Sequence, residues 1–331
     1  MMNWLITGGC GFIGRALMTR LIAEGGHQIR VYDNLSVGTR DDLGGTVDFS
    51  EGQPDDPWRA GVSLIVADIL NAENLAKAVV GADVVVHLAA NTGVGPSVSD
   101  PYGDCHANVI GTLNVLEACR HGKAGRMVFA SSGAPLGVQT PPLNEEMAPR
   151  PASPYGASKL AGEGYCSAYY HCFGVETVVL RFGNVYGEGS TKKASVVAKF
   201  IKLAMAGDTL EIYGDGSQTR DFIYIGDLIE AVHLAATTPE IGGEIFQIAT
   251  SAETTVGAMA EELIAALKAE AGVDARLING EPRQGDVARN YSDTTKAKEV
   301  LGWSADTRLP EGLRKTVRFF NTEHDQGKEP K

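Results

Sequence analysis

Five short apolar runs alternate with helical patterns through the first half of the chain, and this alternation restricts the fold more than any other feature. The runs are rich in Val and Ile and read NWLITG, IRVYDN, SLIVADI, DVVVHLAA and RMVFASS. Strands without polar alternation are buried on both faces, as in a parallel sheet. Helical spacing lies between most of them, for example at Phe12, Leu17 and Leu21 and again at Leu75 and Val79. The sequence therefore predicts an α/β fold with a doubly wound parallel sheet.

The second half of the chain has a looser pattern. From about residue 185 it contains the polar loop GEGSTKKA, a helix near 194–206 and the glycine-rich stretch YGDGSQTRDF. We predict a Rossmann-type domain over 1–182 and a smaller C-terminal substrate-binding domain mainly over 183–322. A later segment at about 221–250, with the strand EIFQIA, is expected to return to the main sheet. Residues 39–61 are predicted to be a turn-rich surface insertion and 323–331 a disordered tail.

The stretch TGGCGFIG follows the first strand and opens a helix, which places Gly8, Gly11 and Gly14 where backbone must approach a pyrophosphate. The spacing differs from GxGxxG, and the stretch lacks the Gly-Lys-Ser/Thr of a nucleoside triphosphate loop. Asp33 ends the second strand, 19 residues after Gly14. A carboxylate there accepts hydrogen bonds from an adenosine ribose and repels a ribose phosphate, so NAD is predicted rather than NADP. Asp68, at the end of the third strand, either reaches the adenine or caps a helix.

The stretch YGASK places Tyr155 and Lys159 four residues apart on one face of a predicted helix. A free tyrosine has a pKa of about 10, and a nearby ammonium together with a positive nicotinamide would lower that pKa. Such a spacing also occurs by chance on solvated helices. Ser132, however, ends the fifth strand at the sheet edge where ligands bind, and Ser131 should face the other way. We predict Ser132, Tyr155 and Lys159 as catalytic residues.

Composition excludes several classes of partner. The formal net charge is -12 and the isoelectric point is about 5.1, which disfavours nucleic acid and anionic membranes. The five cysteines are scattered without CxxC spacing, which indicates reduced thiols and a cytoplasmic protein. Cys166, His171 and Cys172 have no second ligand pair, so no metal is predicted. Neither a signal peptide nor a membrane span is expected.

Further motifs extend over nearly the whole chain. They read DNLSVGTR, HLAA, NVIGTLNVLEA, SPYGASKLAGE, LRFGNVYG, GDGSQTRDFIYIGDL, RQGDV and LGW. With TGGCGFIG, they make the chain resemble the extended short-chain dehydrogenase/reductase superfamily, in its NAD-dependent epimerase/dehydratase family, and most closely the UDP-glucose 4-epimerases. The resemblance implies that Tyr155 is the base, that Lys159 holds the cofactor ribose and that Ser132 is the hydroxyl partner. It also implies a homodimer through helices near 101–120 and 155–173.

The same resemblance implies two sets of contacts with ligands. The cofactor contacts, besides the three glycines, are Phe12, Ile13, Asp33, Asn34, Ser36, Gly38, Asp68, Ile69, Leu88, Ala89, Ala90, Asn108, Tyr155 and Lys159. The contacts with a UDP-sugar substrate are Ser132, Tyr155, Asn184, Ser195, Val196, Tyr213, Arg220, Arg283, Asp286 and Asn290. Arg220 and Arg283 are expected to clamp the diphosphate, which guanidinium groups bind in bidentate fashion. Arg181 is expected to be structural.

The resemblance also restricts the reaction. Related hexose 4,6-dehydratases carry an acidic pair just after the strand-five hydroxyl, whereas this chain has Gly133 and Ala134 there. The expected reaction is inversion of carbon 4 of a UDP-hexose through a transient 4-keto intermediate. A UDP-glucuronate 4-epimerase or decarboxylase and a non-catalytic NAD-binding regulator are the alternatives.

Six positions leave the identity of the substrate open. Lys192 and Lys193 either meet a sugar carboxylate or lie in a solvated loop. Asn184 resembles enzymes for neutral hexoses. Asn290, of intermediate size, lies where a small side chain in the family admits N-acetyl sugars, so UDP-GlcNAc remains a candidate. Pro135 and Leu136 replace a usual Val and Tyr, which could reshape the sugar pocket.

Overall fold

The computed structural model describes residues 1–282 and 287–325. The strands are β1 (Asn3–Thr7), β2 (Gln28–Asp33), β3 (Phe49–Glu51), β4 (Gly61–Val66), β5 (Val84–His87), β6 (Arg126–Ser132), β7 (Thr177–Phe182), β8 (Asn184–Tyr186), β9 (Leu210–Tyr213), β10 (Thr219–Arg220), β11 (Phe222–Tyr224), β12 (Ile245–Ile248), β13 (Thr254–Thr255) and β14 (Leu277–Gly280). The helices are α1 (Phe12–Glu24), α2 (Arg40–Gly44), α3 (Ala72–Val79), α4 (Val94–Ser99), α5 (Pro101–Cys105), α6 (Gly111–Gly122), α7 (Pro154–Phe173), α8 (Val196–Met205), α9 (Ile225–Thr237), α10 (Val256–Ala271), α11 (Thr295–Leu301) and α12 (Leu309–Asp325). A π-helical turn, His106–Ile110, joins α5 to α6, and a 3-10 turn covers Ala134–Leu136.

The main sheet contains eight strands within the described residues, in the order β12-β7-β6-β5-β1-β2-β4-β3. Every neighbouring pair in it is parallel. The five apolar runs form β1, β2, β4, β5 and β6, so the prediction of a doubly wound α/β fold is confirmed. Strand β12 pairs with β7 at one edge of the sheet. The stretch 39–61 is more ordered than predicted, because it supplies α2 and the edge strand β3.

The sheet is covered on both faces by apolar side chains. In β1, Trp4 and Ile6 belong to a core cluster on one face, and Leu5 belongs to a second cluster on the other. This alternation is the two-residue period of a strand. Since both faces are buried, the carboxyl edge of the strands is the place where a ligand can reach the sheet.

The C-terminal part builds a third core of its own, with Phe200, Met259 and Val317 among its buried side chains. Three two-stranded ladders border it within the described residues: β8 with β11, β9 with β14, and β10 with β13. The predicted helix near 194–206 is α8. The prediction of a disordered tail from residue 323 is wrong for 323–325, which continue α12, and 326–331 lie outside the described residues. The boundaries between domains stay a prediction.

Two further findings concern other classes of site. Over the described part of the chain, no helix has the length and apolar character to cross a membrane. No group of three or more His, Cys, Asp or Glu side chains in that part is arranged to hold a metal ion. Cys166 is buried, whereas Cys172 is exposed on the same helix.

Candidate active site

The glycine-rich turn lies against the ends of β1 and β5. Gly8 has a φ of 68°, and a Cβ there would lie 2.7 Å from the backbone nitrogen of Ala89. A Cβ on Gly14 would lie 2.5 Å from the Cα of Gly9. Ala89 N–H donates to the Thr7 hydroxyl at 3.3 Å, which fixes the segment Leu88–Ala90 beside the turn. Only glycine lets this backbone approach its own neighbours so closely, and it leaves the turn without side chains.

Asp33 is buried at the carboxyl end of β2 and is held by backbone donors. Its Oδ2 accepts from Cys10 N–H at 2.9 Å and its Oδ1 accepts from Leu35 N–H at 2.8 Å. Burial raises the pKa of Asp33, and these two hydrogen bonds oppose that rise. Gly38 lies against the turn, because a Cβ there would be 2.2 Å from the Cys10 carbonyl oxygen. The carboxylate is thus fixed as an acceptor beside the glycine-rich turn.

Asn34 and Asp68 meet at the next strand end. The Asn34 amide donates to Asp68 Oδ2 at 2.7 Å, and the Asn34 Oδ1 accepts from Ser36 N–H at 3.0 Å. Asp68 Oδ1 accepts from Leu70 N–H at 2.8 Å, so this carboxylate also orders the turn before α3. Ile69, between them, is buried. The structure therefore brings together four of the predicted cofactor contacts, namely Asn34, Ser36, Asp68 and Ile69.

Ser132 and Tyr155 meet at the carboxyl end of β6. Burial raises the pKa of the Tyr155 phenol, and this effect is larger than the opposing influence of the nearby Ser132 hydroxyl, which lowers that pKa. Ser131 is buried on the other side of the strand and donates to Glu163 at 2.5 Å. Ser153 caps the first turn of α7, accepting from Gly156 N–H at 3.1 Å. This cap stabilises the start of α7, and Tyr155 is the second residue of that helix.

Lys159 is buried one turn further along α7, with 4% of its surface exposed. Its ammonium donates to the Ala130 carbonyl at 2.9 Å and lies 5.0 Å from the centre of the Phe129 ring. Burial lowers the pKa of Lys159 to about 8. The prediction that the pKa of Tyr155 is lowered is wrong for the protein alone, because burial outweighs the opposing influence of the Ser132 hydroxyl and raises that pKa.

A cleft of about 300 Å³ opens beside β8, α8 and β9. Five of the predicted substrate-binding residues line it, namely Asn184, Ser195, Val196, Tyr213 and Arg220. Arg220 donates to the carbonyls of Thr219 at 2.7 Å and Val287 at 2.6 Å. Sequence reasoning missed Lys199, Glu211 and Gln218 in the same wall. Nothing local distinguishes these three, since they enter the cleft only when α8, β9 and the following loop converge.

The model of the NAD-dependent epimerase/dehydratase family matches residues 4–249 of this chain. The chain belongs to this family. Its cofactor is therefore NAD. The residues described above fit that dinucleotide, since the close-packed Gly8 and Gly14 keep the turn bare of side chains and Asp33 offers a fixed acceptor.

Relatives extend over nearly the whole chain. A UDP-glucose 4-epimerase from Mycolicibacterium smegmatis is 36% identical over 324 residues, which cover 96% of this chain and 98% of that protein. The crystal structure of UDP-glucose 4-epimerase from Thermotoga maritima with UDP-glucose has a TM-score of 0.85 and 34% identity, covering 98% of this chain and all of that one. UDP-glucuronic acid 4-epimerase from Bacillus cereus, with UDP-glucuronic acid and NAD, has a TM-score of 0.85 at 29% identity, covering 97% of this chain and 99% of that one.

Three other predicted substrate contacts lie between residues 283 and 290 of the chain. Arg283 and Asp286 lie outside the described residues. Asn290 is half-buried, and its N–H donates to the Thr219 hydroxyl at 3.2 Å, next to Arg220 in the chain.

Several other positions, whose roles the sequence either left open or predicted to be structural, have defined surroundings in the structure. Arg181 is buried and forms a bidentate pair with Glu163 at 2.9 and 2.7 Å. Lys192 is paired with Asp42 at 2.5 Å, rather than standing free in a solvated loop. Pro135 and Leu136 are buried in the 3-10 turn, and the cleft beside α8 is lined by other residues.

A buried polar network, in part missed by the sequence analysis, lies behind Tyr155. Asn108 is 2% exposed, and its amide lies 2.9 Å from the Asn91 carbonyl oxygen, 3.0 Å from Asp104 Oδ1 and 3.1 Å from the Ser158 hydroxyl. The Ser158 hydroxyl donates to the carbonyl of Tyr155 at 3.0 Å. The four-residue spacing of Asp104 and Asn108 was the available signal, since it places both on one helical face.

Proposed function

We propose that this protein is an NAD-dependent 4-epimerase of UDP-hexoses that interconverts UDP-glucose and UDP-galactose. The observation that carries the proposal is that Ser132, Tyr155 and Lys159 lie at the carboxyl end of β6, in the same parallel sheet as the strand that leads into the glycine-rich turn. The cleft lined by Asn184, Tyr213 and Arg220 is large enough to hold much of a nucleotide.

The chain supplies a base and its orienting groups. In the proposed reaction, Tyr155 takes the proton from the sugar hydroxyl at carbon 4, while the Ser132 hydroxyl donates to the same oxygen and orients it. The Lys159 ammonium, held at the Ala130 carbonyl, stabilises the phenolate. Gly8, Gly14 and Asp33 would hold NAD, which would supply a reversible hydride acceptor at carbon 4. Inversion of that carbon requires the 4-keto sugar to present its opposite face, and Tyr155 then gives the proton back.

Elimination of water is disfavoured by the same strand end. The positions after Ser132 are Gly133 and Ala134, and neither can carry a proton. A Cβ built on Gly133 would meet no heavy atom within 4 Å among the described residues, so the space beside Ser132 is open. The structure thus places at these two positions no acid to expel a hydroxyl and no base to remove a ring proton.

The sugar attached to UDP is the finer part of the proposal. Asn184 lines the cleft with an exposed amide, which suits neutral hydroxyl groups. Lys192 is engaged by Asp42. Both observations favour a neutral hexose over a uronate. The half-buried Asn290 leaves UDP-GlcNAc as a second neutral substrate.

We also propose a homodimer, as the family resemblance implies. Helices α5 and α7 and the π-helical turn carry large exposed apolar side chains. These are Tyr102, Ile110, Tyr165 and Phe173, which are 89%, 41%, 39% and 52% exposed. An interface over these helices would cover them.

The proposal is tested by incubating the purified protein with UDP-glucose, UDP-galactose, UDP-GlcNAc and UDP-glucuronate separately and following each by NMR. We expect UDP-glucose and UDP-galactose to approach one equilibrium mixture without accumulation of NADH. Tyr155→Phe should lower the rate by about 10²–10⁴-fold. Tyr170→Phe, at a half-buried tyrosine of the same helix that packs against Gly243, is the matched control and should not change it.

Four outcomes would each replace the proposal. Release of carbon dioxide from UDP-glucuronate would indicate a decarboxylase, and inversion of UDP-glucuronate alone a uronate epimerase. Accumulation of a 4-keto-6-deoxy sugar would indicate a dehydratase. If all four sugars stay unchanged, the chain is a non-catalytic NAD-binding protein.

A further inference from the structure

Asp104 is a buried carboxylate that the proposed mechanism does not use. It lies on α5 with 3% of its surface exposed. Its Oδ1 accepts from the Asn108 amide at 3.0 Å, but its Oδ2 is buried without a hydrogen-bond partner among residues 1–282 and 287–325. A buried carboxylate is unfavourable unless a nearby positive charge compensates it. A nearby cation would therefore stabilise the buried carboxylate of Asp104.

The ammonium of Lys159 is a buried cation that feels the charge of Asp104. Helix α5 packs against α7, which carries Lys159, and both charged side chains are buried. The negative charge of Asp104 is the largest influence that holds the pKa of Lys159 up against burial. Each buried charge thus offsets part of the free energy that is needed to bury the other.

A hydrogen-bonded path also joins Asp104 to the backbone of Tyr155. The Asn108 amide lies between Asp104 Oδ1 and the Ser158 hydroxyl, and that hydroxyl donates to the Tyr155 carbonyl. Asn108 belongs to the π-helical turn His106–Ile110. Such turns insert an extra residue into a helix and often occur at functional sites. Here the turn follows Asp104 directly and carries Asn108 into the same buried network.

We propose that Asp104 is a positioning residue whose buried carboxylate keeps the Lys159 ammonium charged and, through Asn108 and Ser158, fixes the helical turn that carries Tyr155. The inference rests on the proposed function in one respect, namely that Tyr155 acts as a base on a sugar hydroxyl. Asp104 itself does not touch the substrate in this role. It acts through the residues that do.

The charge of Asp104 shifts the pKa values of Tyr155 and Lys159 in the same direction. A nearby anion disfavours the Tyr155 phenolate and favours the Lys159 ammonium, so Asp104 raises both pKa values. Removing that charge must lower both. Tyr155 and Lys159 would then lose their protons at lower pH, and the pH range of activity would move toward acid.

Other groups that face this pair remain in place in such a variant. They are Ser132 on β6, His87 on β5, Glu163 and Cys166 on α7, and Arg181 on β7, which reaches the pair through Glu163. Burial lowers the pKa of His87 to about 3, so it stays neutral throughout the working range. Burial keeps Cys166 protonated. The expected change therefore comes from Asp104 alone.

The test is Asp104→Asn, which removes the charge and keeps the shape. The titration of Tyr155 is read from the ultraviolet absorbance of its phenolate, as the difference between each protein and its Tyr155→Phe counterpart. We expect the midpoint to fall by about one pH unit, and the acid limb of the turnover profile to move with it. Asp100→Asn is the matched control, because Asp100 is an exposed cap of the same helix and should leave the midpoint unchanged.

Further variants separate charge from shape. Asp104→Glu keeps the charge and should hold the midpoint near that of the parent protein. Asp104→Ser removes the charge with a smaller side chain, so it gives the same expected shift if the Asn variant does not fold.

An unchanged midpoint in both neutral variants, with activity or stability reduced, would show a purely structural role and overturn the inference. If the midpoint shifts but no UDP-sugar is turned over by the parent protein, the inference stands and the proposed function fails.

Discussion

The glycine-rich end of the sheet, proposed to hold the cofactor, and the cleft proposed to hold the substrate are constructed differently. At the cofactor end, backbone packs on backbone, and a Cβ on Gly14 would come within 2.5 Å of Gly9. The acceptor Asp33 is buried and doubly hydrogen-bonded there. In the cleft, side chains such as those of Asn184 and Tyr213 are exposed and come from separate strands. Main-chain packing determines the shape of the first region, whereas exposed side chains determine the shape of the second.

This difference has an energetic consequence. A new side chain in close-packed backbone has to displace main chain, so stability and cofactor binding should fall together. A side chain removed from an open cleft leaves room for water. Its loss should therefore weaken substrate binding alone.

The largest effect is expected from Gly14→Ala. Its Cβ would meet the Cα, C and O of Gly9, and the helix N-terminus would have to move away from the turn. We expect the free energy of unfolding to fall by about 1–3 kcal/mol, together with a loss of bound NAD. Urea unfolding and the nucleotide released on denaturation measure the two effects.

Gly95→Ala is the matched control for this change. Gly95 is exposed on α4, and a Cβ there would meet no atom within 4 Å among the described residues. This substitution should raise the free energy of unfolding by about 0.5–1 kcal/mol, because alanine favours a helix more than glycine does. Equal responses of the two variants would contradict the contrast between the regions.

An intermediate effect is expected from Asn184→Ala in the cleft. Loss of one hydrogen bond to the substrate should raise KM by about three- to tenfold, while the free energy of unfolding stays within about 0.5 kcal/mol. Asn74→Ala, at a half-buried asparagine of α3 outside the cleft, should change neither quantity. Steady-state kinetics and urea unfolding test this pair. A fall in bound NAD in the Asn184 variant would mean that the two regions are coupled.

The same contrast explains how much the sequence could predict. The main sheet and the position of Asp33 depend on local patterns, namely buried strands and a glycine-rich turn. Asp104 acquires its role only from α7, where Ser158 lies 50 positions beyond Asn108. Lys199 and Gln218 enter the cleft from different elements. Contacts of this kind depend on tertiary packing, which no local pattern encodes.

The end of α12 is a different case. Leu313, Val317 and Phe320 are buried at helical spacing, and this pattern was present in the sequence. The polar composition of the last residues outweighed it in the prediction of a disordered tail. The helix nevertheless continues to Asp325, because a packed apolar face stabilises a helix beyond the propensity of its last turn.

The smallest effect is expected from Lys192→Ala. The Lys192 ammonium is held by Asp42 at 2.5 Å, and Asp42 also accepts from Thr39 N–H at 2.7 Å. The neighbouring Lys193 donates to the Val185 carbonyl at 3.3 Å. Both lysines thus join the loop after β8 to other parts of the protein rather than to the sugar. A partly exposed ion pair contributes about 0–1 kcal/mol, so stability should change little.

The decisive measurement for Lys192 is selectivity, since the lysine was a candidate partner for a sugar carboxylate. The ratio of the Kd values for UDP-glucuronate and UDP-glucose, from calorimetry, should change by less than about twofold. Asp42→Asn is the matched control, because it breaks the same ion pair from the other side and leaves the lysine free. A selective loss of UDP-glucuronate binding in Lys192→Ala, with none in Asp42→Asn, would show that the lysine leaves Asp42 to meet the sugar. The cleft would then extend to the loop after β8, and the preference for neutral hexoses would have to be abandoned.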